Sequence, residues 1–232
     1  MDHEFIPEIA CHDELLDIWE AKFHANNLPF ERDGILSPEQ WNSAPLKVLV
    51  VLKETNRPQP AHPVSRSVVE EISRALNNPN SRWWRKNVLR RVGRWAFGLT
   101  TYAGEVPSYR LARIFGNQAL PSIAYMNMKK SSGGANTNQN SFAAHVKEYA
   151  PYIRRQIELI KPDVVVLGGT FQAVKHHVFP ELERVGERAH CFNGVLFINA
   201  FHPAQRTISA EELYRQVVDS FHKYKSSYAA SA

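Results

Sequence analysis

Four short apolar runs alternate with longer segments of helical periodicity along the chain. The runs cover residues 46–52, 121–127, 163–169 and 194–199. Continuous apolar runs rich in β-branched residues are typical of strands that are buried on both faces of a parallel sheet. The pattern therefore predicts four strands at the centre of the fold.

Segments with helical spacing of apolar residues predict helices between and around these strands. They are residues 12–26, 64–77, 82–98, 140–160, 171–178 and 209–224. This alternation favours a three-layer α/β/α sandwich with a central, mainly parallel four-stranded sheet. We expect a single domain over residues 1–232, with a core at about 46–206 and an N-terminal helical elaboration at 1–45.

The composition of the chain indicates which partners, metals and cofactors to expect and where in the cell the protein is located. The net charge of +5 favours a polyanionic partner, although a solvated basic surface explains it equally well. Cys11 and Cys191 are too few for a four-cysteine zinc or iron–sulfur site. Adjacent His176 and His177 lie on different helix faces, so we expect no metal and no cofactor. A reduced cytoplasmic protein is expected, since no apolar run reaches the roughly 18 residues of a membrane span.

Polar side chains follow three of the predicted strands. They are Glu54 and Asn56, then Asn127 with Lys129 and Lys130, then His202. Because the carboxyl ends of parallel strands meet at one edge of the sheet, where open α/β folds bind ligands, we expect these groups to face one cleft.

Each of these residues also has an ordinary structural explanation. Glu54 can cap the next helix or pair with a basic neighbour, and Asn127 can satisfy nearby backbone groups. His202 can be a structural histidine beside a turn proline, and the lysines can be solvated. The functional interpretation therefore depends on their combination.

The combination fits cleavage of a glycosidic bond next to phosphates. A carboxylate stabilises the positive charge that develops on the sugar and orients or deprotonates water. An imidazole donates to the negative charge on the departing base. An asparagine side chain offers both a donor and an acceptor to the edge of a base, and a basic loop suits phosphates.

The order and placement of these motifs resemble the uracil-DNA glycosylase superfamily over about residues 46–206. The matching segments are Lys53-Glu54-Thr55-Asn56-Arg57, Ile123-Ala124-Tyr125-Met126-Asn127, Lys161-Pro162-Asp163 with Gly168 and Gly169, and Asn199-Ala200-Phe201-His202-Pro203-Ala204-Gln205-Arg206. The cysteines of the iron–sulfur branches are absent, which excludes those branches.

The first motif departs from the forms Gly-Gln-Asp-Pro-Tyr and Gly-Glu-Ala-Pro-Gly of that superfamily, because residues 53–56 contain neither Gly nor Pro. When this segment is aligned with Gly-Glu-Ala-Pro-Gly, Glu54 occupies the position of the acidic residue. When it is aligned with the Asp or Asn of other branches, Thr55 occupies that position and Asn56 is the next residue. Glu54 is therefore the first candidate for activating water, and Asn56 the second.

The resemblance implies a monofunctional, metal-free and monomeric DNA glycosylase that flips the target base out of the DNA. It assigns catalysis to Glu54, Asn56 and His202. It assigns base binding to Asn127, Tyr125 and Phe201, with Phe30 and Phe171 as other candidates for the stacking wall. It assigns DNA contacts to Lys53, Lys129, Lys130, Gln205 and Arg206.

The most basic stretch, residues 82–95, has two interpretations. Interleaved arginine and tryptophan can bind phosphates and stack on bases. An amphipathic helix would instead pack the tryptophans inside and leave the arginines in water. We expect the second for the tryptophans, which still allows the arginines to face DNA.

The sequence leaves the substrate and two other classes of function open. The base is uracil or another deaminated base in repair, or a hypermodified pyrimidine, such as glucosylated hydroxymethylcytosine, removed in defence against phage. A non-catalytic DNA-binding module on the same fold and a hydrolase of free nucleosides or nucleotides are the alternatives. A dinucleotide-binding enzyme is disfavoured, because no GxGxxG follows the first strand.

Overall fold

A sheet of seven strands runs through the part of the chain that the computed structural model describes, which is residues 9–56, 60, 62–78, 80, 87–133 and 139–229. The strands in chain order are β1 Phe30–Arg32, β2 Gly34–Ile35, β3 Val48–Leu52, β4 Ser65–Ser67, β5 Ala124–Asn127, β6 Val164–Gly168, β7 Glu183–Arg184, β8 Ala189–Phe192 and β9 Val195–Ala200. The sheet has the order β2-β5-β3-β6-β9-β8-β7, and β1 and β4 form a separate parallel pair.

The four predicted strands are confirmed as β3, β5, β6 and β9. They are neighbours in the sheet and mutually parallel, with Leu52 opposite Asn127 and Gly168 opposite Ala200. The sheet is wider than expected because β2, β7 and β8 add antiparallel edges. These edge strands have only two to four residues, too few to give a clear alternating pattern.

Helices cover both faces of the sheet. They are α1 His12–Ala25, α2 Pro38–Ser43, α3 Val68–Asn77, α4 Asn87–Thr100, α5 Tyr109–Ala119, α6 Gln139–Glu148, α7 Ala150–Ile160, α8 Phe171–Ala173 and α9 Ala210–Ala229, with a 3-10 turn at Leu120–Ser122 and a π turn at Val174–Val178. Val48, Val50 and Leu52 of β3 pack in a core with α3, α4, α5 and α9. Leu49 and Val51 pack in a second core with α1, α6 and α7 on the opposite face.

The helix boundaries differ from the prediction at several points. The helix expected at 140–160 is two helices, because Pro151 at the start of α7 supplies no N–H to continue α6. α3 begins only at Val68, where the Ser67 hydroxyl accepts from the Glu70 N–H. Helix α5 was not predicted. The predicted helix at 82–98 is observed from Asn87 onward, and 82–86 lie outside the described residues.

The N-terminal segment is not the purely helical elaboration that the sequence predicts. It contains α1 and α2, but it also contributes β1 and β2, and β2 pairs with β5 in the main sheet. Phe30 of β1 is fully buried against Trp19 and Phe23 of α1. The segment therefore contributes to the same core as the predicted strands.

Among the described helices, none combines the length and the apolar composition that crossing a membrane requires. Cys11 and Cys191 are both free thiols.

Candidate active site at the carboxyl edge of the sheet

The polar segments that follow β3 and β5 run side by side beyond the ends of the strands. The N–H groups of Met128 and Lys129 donate to the carbonyls of Leu52 and Lys53 at 3.0 and 2.9 Å. The Gly133 N–H donates to the Thr55 carbonyl at 2.9 Å. These bonds extend the pairing of the two strands, so two of the predicted polar segments come together as expected.

The Glu54 side chain lies enclosed between these segments. Its carboxylate forms an ion pair with Lys129 at 3.0 Å, and only 6% of the side chain is exposed. A Cβ on Gly133 would lie 2.1 Å from Glu54 Cδ, so the carboxylate occupies space that only glycine leaves open. Asn56 is exposed and forms a backbone bridge with Gly133. The carboxylate, rather than the amide, is therefore the enclosed group.

Asn127 ends β5 with its side chain buried. Its N–H donates to Asp33 Oδ2 at 2.7 Å, and its Nδ2 donates to Thr55 Oγ1 at 3.1 Å. The Oδ1 atom is buried without a hydrogen-bond partner among the described residues. A buried acceptor left in this state costs about 1–3 kcal/mol, which a ligand with an N–H group would remove.

A buried ion pair lies behind Asn127. Asp33 Oδ1 accepts from Lys130 Nζ at 2.6 Å and from Gln156 Nε2 at 2.8 Å. Both charged side chains are completely buried. Burial lowers the pKa of Lys130, although the charge of Asp33 opposes this shift. The pair anchors the end of β5 through the second oxygen of Asp33.

The predicted contact between Lys130 and DNA is therefore wrong. The Lys130 ammonium group is 0% exposed and lies 5.1 Å from the centre of the Trp19 ring. Lys129 is partly exposed, but its ammonium group is paired with Glu54. The loop that looked uniformly basic contains one structural lysine and one that contacts the candidate catalytic carboxylate.

His202 is neutral and has a defined donor nitrogen. The Ala204 N–H donates to His202 Nδ1 at 3.1 Å, so the proton of the neutral ring is on Nε2. Burial, together with the nearby charge of Lys53, lowers the pKa of His202 to about 4.

Two glycines let the His202 loop pass close over the end of β6. Gly169 has a φ of +74°, and a Cβ there would lie 3.0 Å from His202 Cβ. A Cβ on Gly168 would lie 2.4 Å from Leu52 Cδ2 and 3.2 Å from Pro203 Cδ. The glycine pair, a weak signal in the sequence, therefore makes room for the loop that holds His202.

Strand spacing sets the distance between the two sides of the candidate site. Neighbouring strands lie about 4.8 Å apart, so the three steps from β5 to β9 separate their axes by about 14 Å. Asn127 lies at one side of this span, His202 at the other, and Glu54 follows the strand next to β5.

Of the predicted stacking residues, Tyr125 and Phe30 belong to the core. Tyr125 packs in the core cluster that contains Val50 and Leu52, and burial raises the pKa of its phenol. The assignment of Tyr125 to base stacking is therefore wrong. Phe201 remains 41% exposed, with the Arg188 guanidinium 5.1 Å from its ring centre, and Phe171 packs against His190.

The other predicted DNA contacts follow strands β3 and β9 in the chain. Lys53 Nζ lies 5.8 Å from the centre of the Phe142 ring, and Arg206 is exposed. The Gln205 Oε1 atom accepts from the N–H groups of Arg206 and Thr207, so this side chain stabilises its own loop. Arg57, the last residue of the first motif, lies outside the described residues.

Comparison of the chain with protein-family models gave no match, and comparison with curated proteins gave none either. Within the described ranges, no three or more His, Cys, Asp or Glu side chains are grouped to hold a metal ion.

Two buried histidines predict a loss of stability in mild acid. Burial, with the charges of Lys129 and Lys130, lowers the pKa of His145 to about 4, similar to that of His202. In the unfolded chain the pKa of these histidines is about 6.5, so the unfolded state binds more protons than the folded state between pH 6.5 and 4. The folded state therefore keeps its full stability above pH 6.5 and loses stability as the pH falls towards 4. We expect a loss of the order of 2 kcal/mol per histidine between pH 7 and 5, measured by urea unfolding.

Single variants separate the two contributions. His145→Gln and His202→Gln should each flatten this pH dependence by a similar amount. If the free energy of unfolding changes with pH in both variants as it does in the wild type, groups other than these histidines cause the pH dependence.

Proposed function

We propose that this protein is a monofunctional DNA glycosylase with a uracil-DNA glycosylase-like fold. It hydrolyses the N-glycosidic bond of a flipped-out damaged or modified pyrimidine and leaves an abasic site. The observation that carries the proposal is the buried Asn127 Oδ1, which has no partner among the described residues and lies at the same sheet edge as Glu54 and His202.

Glu54 acts on the sugar and on water. Its enclosed carboxylate stabilises the positive charge that develops at C1′ as the bond to the base breaks. It accepts the proton of the water molecule whose oxygen forms the new bond to C1′. Lys129 holds the carboxylate in place and limits its rotation.

His202 acts on the departing base, which leaves with the electron pair of the broken bond. The Nε2–H of the neutral ring donates a hydrogen bond to a base oxygen that gains negative charge. The Ala204 N–H fixes the ring orientation, so the donor is in position before the reaction begins.

Asn127 selects the base. Thr55 orients its amide, so that Oδ1 accepts from an N–H on the edge of the base, such as N3–H of uracil or the exocyclic amine of a cytosine derivative. The unstacking cost of a few kcal/mol is offset in part by satisfying this buried oxygen. An exposed aromatic ring, Phe201, is available to stack on the flipped base.

The first test is release of a base from DNA. Oligonucleotides that each contain uracil, 5-hydroxymethyluracil, hypoxanthine or glucosylated hydroxymethylcytosine are incubated with the protein and cleaved at abasic sites with alkali. We expect cleavage at one base and a loss of about 10²-fold or more in Glu54→Gln. The base that is cleaved distinguishes repair from defence against phage.

Gly133→Ala tests the position of the carboxylate without removing it. The new Cβ would overlap the Glu54 carboxylate, which is the end of a flexible side chain, so the fold should tolerate the change while the carboxylate moves. We expect activity to fall as in Glu54→Gln. The matched control is Glu39→Gln, an exposed glutamate in α2 that should leave the rate unchanged.

Two results would contradict the proposal. Tight, salt-sensitive binding of DNA without any abasic product would identify a non-catalytic DNA-binding module. Release of base from free nucleosides, without activity on DNA, would identify a nucleoside hydrolase.

A further inference from the structure

Helices α4 and α5 touch through their backbones. A Cβ on Gly93 of α4 would lie 2.5 Å from the Gly116 carbonyl oxygen of α5, and one on Gly116 would lie 3.0 Å from the Arg94 nitrogen. This contact is possible only because both residues are glycines. It brings side chains from the two helices unusually close together.

Four arginines lie near this crossing, and we call them the arginine cluster: Arg90, Arg91 and Arg94 of α4 and Arg113 of α5. Each of the four arginines lies within three residues of Gly93 or Gly116 in the sequence, so the helix crossing brings their backbones together. Burial lowers the pKa of Arg94, and the charges of Arg113, Arg91 and Arg90 lower it further. Arg94 Nη1 donates to Tyr109 Oη at 2.8 Å, so its head group has a defined position.

Three arginines of the cluster have no carboxylate partner among the described residues. In the described part of the chain, Arg91, Arg94 and Arg113 form no ion pair with Asp or Glu, whereas Arg32, Arg154 and Arg215 all do. Gathering like charges is unfavourable unless an anion binds. The arrangement is therefore suited to a polyanion.

The cluster adjoins the loop that holds His202. Arg91 Nη1 donates to the carbonyls of Pro203 and Gln205 at 2.7 and 2.6 Å. The two bonds tie α4 to the segment directly after His202. A strand of DNA that leaves the candidate active site on this side would meet the arginine cluster next.

We propose that the arginine cluster binds the phosphodiester backbone of the DNA strand that flanks the flipped nucleotide. This inference rests on the proposed function for the direction of the strand. Guanidinium groups bind phosphate oxygens through paired N–H donors and do not read sequence. The surface therefore supplies affinity and register, while Asn127 supplies the choice of base.

The test is the salt dependence of binding to an unmodified 20-base-pair duplex, measured by fluorescence anisotropy between 50 and 300 mM NaCl. The double variant Arg94→Gln/Arg113→Gln should raise Kd about 10-fold at low salt. It should also reduce the slope of log K against log salt by about 2, since about 0.9 counterion is released per phosphate contact. Arg94→Lys/Arg113→Lys should recover most of the slope.

The matched control is Arg215→Gln, which removes an exposed arginine from α9 that is already paired with Glu211 and Asp219. It should leave the slope unchanged. Thermal unfolding of each variant checks that the fold is retained.

The outcomes separate this inference from the proposed function. A reduced slope in a protein that releases no base supports the arginine cluster and contradicts the glycosylase. If the protein releases base but the slope of log K against log salt is the same in the wild type and the double glutamine variant, only the proposed role of the arginine cluster is contradicted. Absence of duplex binding by the wild type also overturns the cluster.

Discussion

Replacing Asp33 by alanine is expected to lower the free energy of unfolding by about 3–5 kcal/mol. The change leaves the ammonium group of Lys130 buried at 0% exposure without its partner. It also removes the acceptor for the Asn127 N–H and for Gln156 Nε2. Urea unfolding at pH 7 measures the loss.

A second variant shows that the uncompensated charge is the cause. Asp33→Ala/Lys130→Met removes both charges and should recover a large part of the lost stability, since a buried pair is often replaceable by apolar groups. Asp17→Ala removes a carboxylate that is 68% exposed and also pairs with an arginine, and it should cost less than 1 kcal/mol. Equal losses in Asp33→Ala and the double variant would contradict this explanation.

The sequence predicted the centre of the sheet because the signal there is local. Each of the four central strands is a continuous apolar run, and burial on both faces explains the absence of alternation. The parallel order then places their carboxyl ends at one edge without any knowledge of side-chain contacts. Glu54, Asn127 and His202 follow three of these strands, so their shared edge could be predicted.

The burial and orientation of individual side chains at that edge could not be predicted, because they depend on partners that are distant in the sequence. Lys130 is buried by Asp33, which lies 97 positions earlier, and Asn127 is oriented by Thr55, 72 positions earlier. Nothing near Lys130 distinguishes it from Lys129 in the sequence. Asp33 directly precedes β2, which pairs with β5 and has only two residues, and the Trp19 ring of α1 also covers the Lys130 ammonium group.

The glycines of the site illustrate the same limit. The doublets at 133–134 and 168–169 are visible in the sequence, but a glycine indicates only that the backbone conformation or the available space excludes a side chain. The atoms that it makes room for are the Glu54 carboxylate at Gly133 and the His202 loop at Gly168 and Gly169. Gly93 and Gly116, which bring the arginine cluster together, lie within two helices, so the sequence around them contains no turn signal that would mark them as important.

Removing the imidazole of His202 is expected to lower kcat about 10²- to 10³-fold, the usual effect of losing one preorganised donor to a developing negative charge. The measurement is single-turnover release of the base by His202→Ala at saturating DNA. His176→Ala is the matched control, because this histidine is exposed on the turn after α8. It should keep the wild-type rate.

The pH dependence distinguishes a neutral donor from an acidic imidazolium. With its pKa lowered to about 4, His202 stays neutral from pH 8 down to about pH 5, and its Nε2–H remains available throughout. The contribution of His202 to the rate should therefore be constant between pH 6 and 8. An imidazolium with an ordinary pKa near 6.5 would instead give a rate that falls about 10-fold per pH unit above that value. A fall of this kind that disappears in His202→Ala would show that His202 acts in its charged form, and the position of the proton inferred from the Ala204 hydrogen bond would be wrong.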